Sequence, residues 1–314
     1  MQHIVINGFG RIGRLVLRSL LERKQKYKIT VNDPNPSDLL IHLFRYDSVH
    51  GSSQMDLANI TLTHHMTPLY HEPVDMVLEC SGQFTTFEKA SSHIGSGAKK
   101  VLISAPSKDP ELTVVYGVNH KEIKPTHKII SNGSCTTNCV TPLLHILDQA
   151  FELTACHFTT VHAYTATQNL IDGNNHDLRK ARAAALSMIP ATTGASEAVY
   201  QVLPHLKLTG ASIRVPVANV SLVDIIFETI KPVSQDHIHE VIKKAALGSM
   251  KNILLYNTDE IVSIDCNHTP YSAIFDATLT QVAHSHMAKI SAFYDNEWGF
   301  ANRMVDVMQY WLSL

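Results

Sequence analysis

The sequence predicts an α/β protein with two domains, the first built on a doubly wound parallel sheet and the second an α+β domain with a mixed or antiparallel sheet. Short apolar strands alternate with helical segments through residues 1–134. A glycine-rich turn joins the first of these strands to the first helix. After about residue 150 the pattern changes to longer β-branched runs with fewer helices between them, which predicts a second, different sheet.

The opening of the chain predicts a strand, a helix and a second strand. Residues 3–7 form a short apolar run, residues 11–23 carry apolar side chains at helical spacing, and residues 28–31 are again strand-like. Later runs predict, in order, a strand at 76–78, a helix at 87–93, and strands at 100–104, 113–116 and 129–131. Strands and helices that alternate in this way form a parallel sheet with helices on both faces.

The second domain is predicted over residues 135–302. An apolar segment at 140–147 lies near its start, and Pro142 predicts that the regular helix begins or bends there. Further runs predict strands at 155–162, 211–216, 220–230 and 273–282, with a helix at 237–247. The last segment, 303–314, spaces its apolar residues as one helical face, so we expect it to pack back on residues 1–134.

Composition excludes several classes of function. The 314 residues are 45% hydrophobic and 17% charged, with a net charge of −2, and no cluster of basic residues indicates a nucleic acid or an anionic membrane as partner. No segment approaches the roughly 18 apolar residues of a membrane-spanning helix, and the first residues do not resemble a signal peptide. The five cysteines lack paired spacings, so we expect reduced thiols and a cytoplasmic location.

The segment Gly8-Phe9-Gly10-Arg11-Ile12-Gly13 fits the G-x-G-x-x-G pattern between a strand and a helix. Asp33 lies 20 residues after the last glycine, at the end of the next strand. Such glycine turns also occur for packing alone, but the strand, helix and acid in register favour a Rossmann-type dinucleotide site. The helix N-terminus would face the phosphates, and the Asp33 carboxylate favours NAD over NADP because it repels a 2′-phosphate.

Cys135 is a candidate nucleophile. It lies in a segment rich in Ser and Thr, at the predicted N-terminus of a helix, where the helix dipole lowers the pKa of a thiol. The alternative is a small buried core residue, a role that we assign to Cys139. His162 ends a predicted strand and would complete a nucleophile and base pair, although sequence alone leaves open whether the two side chains meet.

Two arginines stand among uncharged neighbours. Arg182 and Arg214 each fit an anion-binding residue or a buried structural ion pair. The paired histidines, at 64 and 65, 237 and 239, and 284 and 286, lack a third and fourth ligand in sequence. We therefore expect surface or structural histidines there and no metal site.

Five segments together closely resemble the glyceraldehyde-3-phosphate dehydrogenase family, and the resemblance spans nearly the whole chain. They are residues 6–14, 46–51, 134–139, 164–168 and 294–299. The resemblance implies that the Cys135 thiolate attacks the aldehyde of glyceraldehyde 3-phosphate and that His162 takes the proton. Hydride transfer to NAD leaves a thioester, which inorganic phosphate then releases as 1,3-bisphosphoglycerate.

The resemblance also implies two anion sites and a cofactor site. The site implied for the substrate phosphate consists of Thr165, Thr167 and Arg214. The site implied for the attacking phosphate consists of Ser134, Thr193 and Gly194. Arg182 would serve both sites, and Thr136 is grouped with these phosphate-binding residues. For the cofactor it implies Asn7, Gly8, Gly10, Arg11, Ile12, Gly13, Asp33, Ser104 and Asn296, the last of these at the nicotinamide carboxamide. It further implies a homotetramer in which residues 163–190 form a subunit-contacting loop.

Three departures from the family pattern stand out. The segment 52–73 is short, and no Lys or Arg occurs from Tyr46 through Glu88, where the family has a basic residue near the adenine. Gly173 and Asn174 replace a Leu-Pro pair, which favours some use of NADP. Phe300 stands where Tyr is frequent, beside the nicotinamide in the family.

Two alternatives follow from these residues. Phe300 and the run 267–274 resemble erythrose-4-phosphate dehydrogenases, whereas Thr165-Ala166-Thr167 and Thr192-Thr193-Gly194 keep the glyceraldehyde 3-phosphate pattern. We therefore favour glyceraldehyde 3-phosphate as substrate. A nucleotide-binding protein of the same fold without catalysis is the other alternative, and the presence of Cys135, His162 and Arg214 argues against it.

Overall fold

The structure, a computed structural model, describes residues 1–24 and 26–314. The chain divides into two compact units, one of Met1–Ser134 with Phe300–Leu314 and the other of Cys135–Gly299. Residues 300–302, which we expected in the second unit, group with the first. They belong to a C-terminal helix that already begins at Trp298, and within the first unit the hydroxyl of Ser19 donates to Asn302 Oδ1 at 3.0 Å.

The first unit is built on a seven-stranded sheet in which every pairing is parallel. Its strands are β1 (His3–Asn7), β2 (Lys28–Asn32), β3 (Ile60–Thr63), β4 (Met76–Glu79), β5 (Val101–Ile103), β6 (Leu112–Thr113) and β7 (Ile129–Ser131). The spatial order is β3-β2-β1-β4-β5-β7-β6, so the order reverses beside β1. This confirms the doubly wound sheet, and the reversal marks the edge where such sheets bind ligands.

Four helices accompany this sheet: α1 (Arg11–Glu22), α2 (Ser37–Arg45), α3 (Phe87–Gly95) and the greater part of α7 (Trp298–Leu312). Helix α7 begins five residues before the predicted start at 303, where Asp295 Oδ1 accepts hydrogen bonds from the N–H groups of Glu297 and Trp298. Strand β6 ends at Thr113, so the prediction of a strand through residue 116 is wrong. The Asn119 side chain bonds Val115 N and Thr113 O instead, which closes a turn.

The second unit is built on a mixed sheet, as predicted. Its seven strands are β8 (Leu153–Ala163), β9 (Ile189–Ala191), β10 (Leu208–Val215), β11 (Ser221–Thr229), β12 (Leu254–Asn257), β13 (Ala273–His284) and β14 (Met287–Tyr294). They lie in the order β12-β13-β14-β11-β8-β10-β9. Strand β10 runs parallel to β8, and Arg214 lies opposite His162 in their register.

Three helices belong to this unit: α4 (Cys135–Phe151), α5 (Ala195–Val202) and α6 (Gln235–Leu247). Helix α4 runs unbroken through Pro142, so the expected start at that residue is wrong, and the first helical residue is Cys135. Residues 164–188, all of them described, contain one short 3-10 turn at Ala184–Leu186 as their only helix. Across the described chain, none of the helices combines the length and the apolar character that spanning a membrane requires.

Candidate active site

Cys135 and His162 meet in the second unit. Cys135 is the first residue of α4, and His162 lies one residue before the end of β8. The Cys135 Sγ lies 3.5 Å from His162 Nε2, within the distance expected of a sulfur hydrogen bond. A thiol and an imidazole in this contact form the nucleophile and proton acceptor that covalent catalysis needs.

Burial is the largest influence on the pKa of the Cys135 thiol. It raises the pKa of Cys135, while the positive charge of Arg214 and hydrogen bonds at the start of α4 act in the opposite direction. The expected lowering by the helix N-terminus is therefore outweighed by the loss of water around the sulfur. Cys139 is fully buried and burial raises its pKa further, in agreement with its predicted place in the core.

His162 is neutral at physiological pH. Burial and the adjacent Arg214 lower its pKa to about 4, even though the ring also bonds a backbone carbonyl. Its Nδ1 lies 2.7 Å from the carbonyl oxygen of Ala163 and 2.6 Å from Arg214 Nη1. The ring thus faces the thiol with one nitrogen and a cation with the other.

Arg214 owes its place to the pairing of β8 with β10. Side chains opposite each other on neighbouring strands lie on one face of the sheet, so the guanidinium reaches the imidazole directly. Its Nη1 also donates to Ala163 O at 3.1 Å, whereas its buried Nε has no partner. Among the described residues Arg214 forms no ion pair with a carboxylate, which leaves its charge available to an anion.

Tyr294 supports this pair and was not predicted as a site residue. Its hydroxyl is shared with Thr136 Oγ1 at 2.9 Å and Thr160 Oγ1 at 2.7 Å, and its ring lies edge-on to His162 with centroids 6.0 Å apart. The Thr136 hydroxyl, which we expected at the phosphates, is therefore engaged with Tyr294. The sequence signal for Tyr294 is its place in the segment 294–299, which resembles the family.

A pair of hydroxyls follows the end of β8. Thr165 Oγ1 and Thr167 Oγ1 lie 2.8 Å apart. The Gln168 side chain, 8% exposed, accepts from Thr165 N at 3.2 Å and fixes the turn between them. Gln168 was also not predicted. Two adjacent hydroxyls on a fixed turn form a cradle that donates hydrogen bonds to a dianion.

The other predicted anion-binding residues are placed differently. Thr193 Oγ1 accepts from Ala195 N at 3.1 Å at the start of α5, and Gly194 precedes this helix with open space around its Cα. Ser134 directly precedes the nucleophile. The Arg182 side chain is 68% exposed and held by Asp172 at 2.8 Å. The side-chain contacts of Arg182 are with Asp172, and it has no contact with Cys135 or His162.

The predicted glycine turn in the first unit borders a cavity of about 780 Å³. Gly8 has φ +90°, and a Cβ on it would come 2.4 Å from Ser81 Cα. A Cβ on Gly13 would come 2.0 Å from Gly8 O, so both positions require glycine. Gly10 borders the cavity with nothing within 4 Å of a Cβ, which leaves room for a phosphate to approach the backbone.

Asp33 faces this cavity in a fixed orientation. Its Oδ2 accepts from Phe9 N at 2.7 Å, and its Oδ1 accepts from both the backbone and side chain of Asn35. Its remaining lone pairs suit ribose hydroxyls. The open glycine backbone and this oriented carboxylate fit a dinucleotide.

The remaining predicted cofactor residues have local partners. Asn7 donates to Glu79 at 2.7 Å, and Arg11 pairs with Asp47 at 2.6 Å. Ile12 lies in the first turn of α1. Ser104 N donates to Glu79 O at 3.0 Å. In the second unit the Asn296 Oδ1 accepts from Ser221 Oγ at 2.9 Å, which orients its amide.

Sequence reasoning missed several cavity-lining residues. They are Asn32, Pro34, Asn35, His65, Met66, Cys80, Ser81, Gln83, Phe84 and Lys89. Lys89 supplies a basic residue directly after the stretch from Tyr46 through Glu88 that has none. Within the described residues, no group of three or more His, Cys, Asp or Glu is arranged to hold a metal ion.

Two family models match the chain. The NAD binding domain of glyceraldehyde 3-phosphate dehydrogenase matches residues 2–87, and the C-terminal domain of the same family matches residues 134–296. The chain is 46% identical over 323 residues to the glyceraldehyde-3-phosphate dehydrogenase of Pseudomonas aeruginosa, with 96% of each chain covered. It is 41% identical over 331 residues to glyceraldehyde-3-phosphate dehydrogenase 1 of Bacillus cereus, covering 100% of this chain and 99% of that one. On this similarity across both units, the chain belongs to the glyceraldehyde-3-phosphate dehydrogenase family.

Proposed function

We propose that this protein oxidises glyceraldehyde 3-phosphate to 1,3-bisphosphoglycerate, using NAD and inorganic phosphate. The contact between Cys135 Sγ and His162 Nε2 at 3.5 Å, with Arg214 against the other ring nitrogen, is the observation that carries the proposal. It joins a nucleophile, a base and a cation for a phosphorylated substrate. Retention of all three argues against a binding protein without catalysis.

The reaction begins when the Cys135 thiol attacks the aldehyde carbon. The S–H proton passes to His162 Nε2, an S–C bond forms, and the backbone N–H groups at the start of α4 stabilise the developing oxyanion. Bound NAD supplies the hydride acceptor that turns the hemithioacetal into a thioester. An oxygen of inorganic phosphate then attacks the thioester carbon, and Cys135 leaves as the thiolate.

Two groups of residues hold the anions. Arg214 with the Thr165 and Thr167 hydroxyls binds the substrate phosphate, and Ser134, Thr136, Arg182, Thr193 and Gly194 serve the phosphate sites. Binding at Arg182 requires it to exchange Asp172 for phosphate, since the two side chains form an ion pair at 2.8 Å.

NAD is held by the glycine turn and Asp33, with Asn7, Arg11, Ile12 and Ser104 beside them, and with Asn296 at the nicotinamide carboxamide. Asp33 favours NAD, and the Gly173-Asn174 replacement leaves some use of NADP. The assembly is a homotetramer with residues 163–190 at subunit contacts. The location is the cytoplasm, where the five free cysteines stay reduced.

The test is NADH formation by the purified protein with glyceraldehyde 3-phosphate, with and without inorganic phosphate. We expect phosphate-dependent turnover that falls by at least about 10³-fold in Cys135→Ser, because a hydroxyl is a far weaker nucleophile than a thiolate. Erythrose 4-phosphate is assayed beside it, since Phe300 and residues 267–274 resemble enzymes for that substrate. Preference for erythrose 4-phosphate without phosphate dependence, or no turnover of either aldehyde, would overturn the proposal.

A further inference from the structure

A row of four polar side chains crosses the parallel sheet of the first unit at the carboxyl ends of its strands. The row consists of the last residues of β3, β2, β1 and β4, which are Thr63, Asn32, Asn7 and Glu79. Each residue is the register partner of the next one in the row. Asn7 and Asn32 border the same cavity as the glycine turn, so the row meets the cofactor cavity through these two asparagines.

The hydrogen bonds along this row all run toward Glu79. Thr63 Oγ1 donates to Asn32 Oδ1 at 2.9 Å, and Asn32 Nδ2 donates to Asn7 Oδ1 at 2.8 Å. Asn7 Nδ2 then donates to Glu79 Oε2 at 2.7 Å. An ionised carboxylate only accepts hydrogen bonds, so Glu79 fixes the direction of the row from its end.

Asn32 fixes the same direction from the other side. Its Oδ1 accepts from the backbone N–H of His65 at 3.0 Å, and its Nδ2 donates to the backbone carbonyl of the same residue at 3.0 Å. Turning the Asn32 amide over would set donor against donor and acceptor against acceptor at His65. Asn7 is therefore held between an amide that donates to it and a carboxylate that accepts from it.

Glu79 is itself held by donors on both carboxylate oxygens, and it is 1% exposed. Besides Asn7 Nδ2, its Oε2 accepts from His93 Nε2 at 3.0 Å, and the His93 Nδ1 lies 2.5 Å from the Tyr70 hydroxyl. Its Oε1 accepts from Ser81 N at 2.8 Å and from the Ser81 hydroxyl. Four donors fill the lone-pair sites of an ionised carboxylate, which is what a buried charge requires.

We propose that Glu79 is a positioning residue for the cofactor, which orients the Asn7 amide so that one of its N–H groups is presented to the dinucleotide. Asn7 Nδ2 carries two hydrogens and donates one to Glu79, while the other has no acceptor among residues 1–24 and 26–314. Because Asn7 borders the cavity, a ribose hydroxyl or phosphate oxygen of NAD is the acceptor that suits this second hydrogen. The inference rests on the proposed function, which places NAD in this cavity.

Glu79→Gln keeps the shape of the side chain and replaces one acceptor oxygen by a donor. Ser81 N is a backbone donor that cannot turn, so the remaining oxygen stays with Ser81 and the new amide nitrogen faces Asn7. The Asn7 amide then turns over to accept, and its Nδ2 meets the Nδ2 of Asn32. The N–H group that faced the cofactor loses its fixed place.

The test is calorimetric titration of NAD into the wild type, Glu79→Gln, Asn7→Ala and the double variant. We expect Glu79→Gln to weaken NAD binding about 10-fold in the wild-type background, which is the effect of one hydrogen bond, and less than about 2-fold in the Asn7→Ala background. An equal loss in both backgrounds, as a general effect on the fold would give, or an unchanged affinity in Glu79→Gln would overturn the proposal. Glu122→Gln, at an exposed residue of the same unit, is the control and should keep the wild-type affinity.

Steady-state kinetics on the same proteins separate this inference from the proposed function. Glu79→Gln should raise the KM for NAD about 10-fold and leave the KM for glyceraldehyde 3-phosphate unchanged. A wild type that turns over, with the same KM for NAD in Glu79→Gln, would overturn the positioning role alone. A wild type that does not bind NAD would overturn the proposed function and this inference with it.

A measurement on the wild type keeps the proposal testable if Glu79→Gln does not fold. Solid-state NMR of the protein labelled with ¹⁵N in its asparagine side chains gives the Asn7 Nδ2 signal, which is assigned by its loss in Asn7→Ala. We expect one hydrogen on Nδ2 to be bonded to the carboxylate with and without NAD, and the other to shift at saturating NAD. An Asn7 signal that NAD leaves unchanged would overturn the proposal.

Discussion

At the scale of single residues, His162 links the stability of the fold to pH. Its pKa is lowered from 6.5 to about 4, mainly by burial. Between these values the unfolded chain binds a proton that the folded chain does not, so this contribution is complete above pH 6.5 and is lost as pH falls toward 4. A difference of this size corresponds to about 3 kcal/mol.

The prediction is a fall in the free energy of unfolding between pH 7.5 and pH 4.5 that is smaller in His162→Gln. Urea unfolding of both proteins at the two pH values measures it. The difference between the two proteins isolates the contribution of His162. Equal pH dependence in wild type and variant would show that the ring is not held neutral.

Tyr294 contributes a second prediction at this scale. It is 1% exposed and its hydroxyl satisfies both Thr136 and Thr160. Tyr294→Phe leaves two buried hydroxyls without this partner, and we expect a loss of about 1–3 kcal/mol in the free energy of unfolding. Tyr310→Phe is the matched control, since no hydrogen bond of the Tyr310 hydroxyl is lost, and its effect should stay within about 0.5 kcal/mol. Urea unfolding gives both values, and equal losses would contradict the prediction.

Sequence motifs identify reactive side chains but not all of their contacts. Cys135 was predicted as a nucleophile from its polar neighbours, and His162 as its base. The bond between His162 and Arg214 was not predicted, because it depends on the register of two strands whose residues are 52 positions apart. The effect of burial on the Cys135 pKa was missed for the same reason, since burial is a property of the packed fold.

At the scale of elements, the turn between β1 and α1 separates glycines needed for packing from one needed for binding. Gly13→Ala places a methyl group 2.0 Å from Gly8 O, and we expect a loss of about 1–3 kcal/mol or more in the free energy of unfolding. Gly10→Ala meets nothing within 4 Å, so its stability should change by less than about 0.5 kcal/mol. Its methyl group nevertheless enters the space that a pyrophosphate would occupy, so NAD affinity should fall.

Urea unfolding and calorimetric titration with NAD measure the two effects. We expect Gly13→Ala to lower the free energy of unfolding, and Gly10→Ala to keep that free energy but bind NAD more weakly. An equal loss of stability in both variants would contradict the prediction that Gly10 is needed for NAD binding and not for packing.

Periodicity predicted the elements that are long or strongly patterned. Helix α1 and strand β1 lie where the apolar spacing placed them, as do β8, β11 and β13. Strand β3 and helix α2 were missed because each is short and only partly buried, so its apolar pattern is weak. Strand β14 was also missed. In the structure it lies between β13 and β11 and pairs with both.

At the scale of the whole molecule, residues 163–190 expose an unusual amount of apolar surface in a single chain. Leu178 is 86% exposed and Met188 77%, and Leu170, Ile171 and Leu186 are similarly exposed. For the proposed homotetramer, light scattering gives a mass of four times 34.8 kDa, and Leu178→Asp with Met188→Asp should shift this mass to smaller species. Leu247→Asp, at a residue 74% exposed outside this segment, is the control and should keep the wild-type mass. A double variant with unchanged mass would place the subunit contacts elsewhere.

The fold class was predictable at this scale because alternation of strands and helices and the later β-branched runs extend over long stretches of sequence. The residues that border the cofactor cavity were harder to predict from the sequence. Ser81 approaches Gly8 because β4 pairs with β1, and Lys89 of α3 borders the same cavity as Asp33. Nothing local in the sequence indicates either placement.

The register between β8 and β10 also limits which changes of chain length the protein tolerates. Cys156 pairs with Leu208 and His162 with Arg214, so the two strands advance together over seven residues. One inserted residue between 156 and 162 would turn His162 to the opposite face of the sheet, and two would restore the face but move the ring about 6.6 Å along the strand. We therefore expect this unit to tolerate insertions and deletions in its connecting loops and not within these two strands.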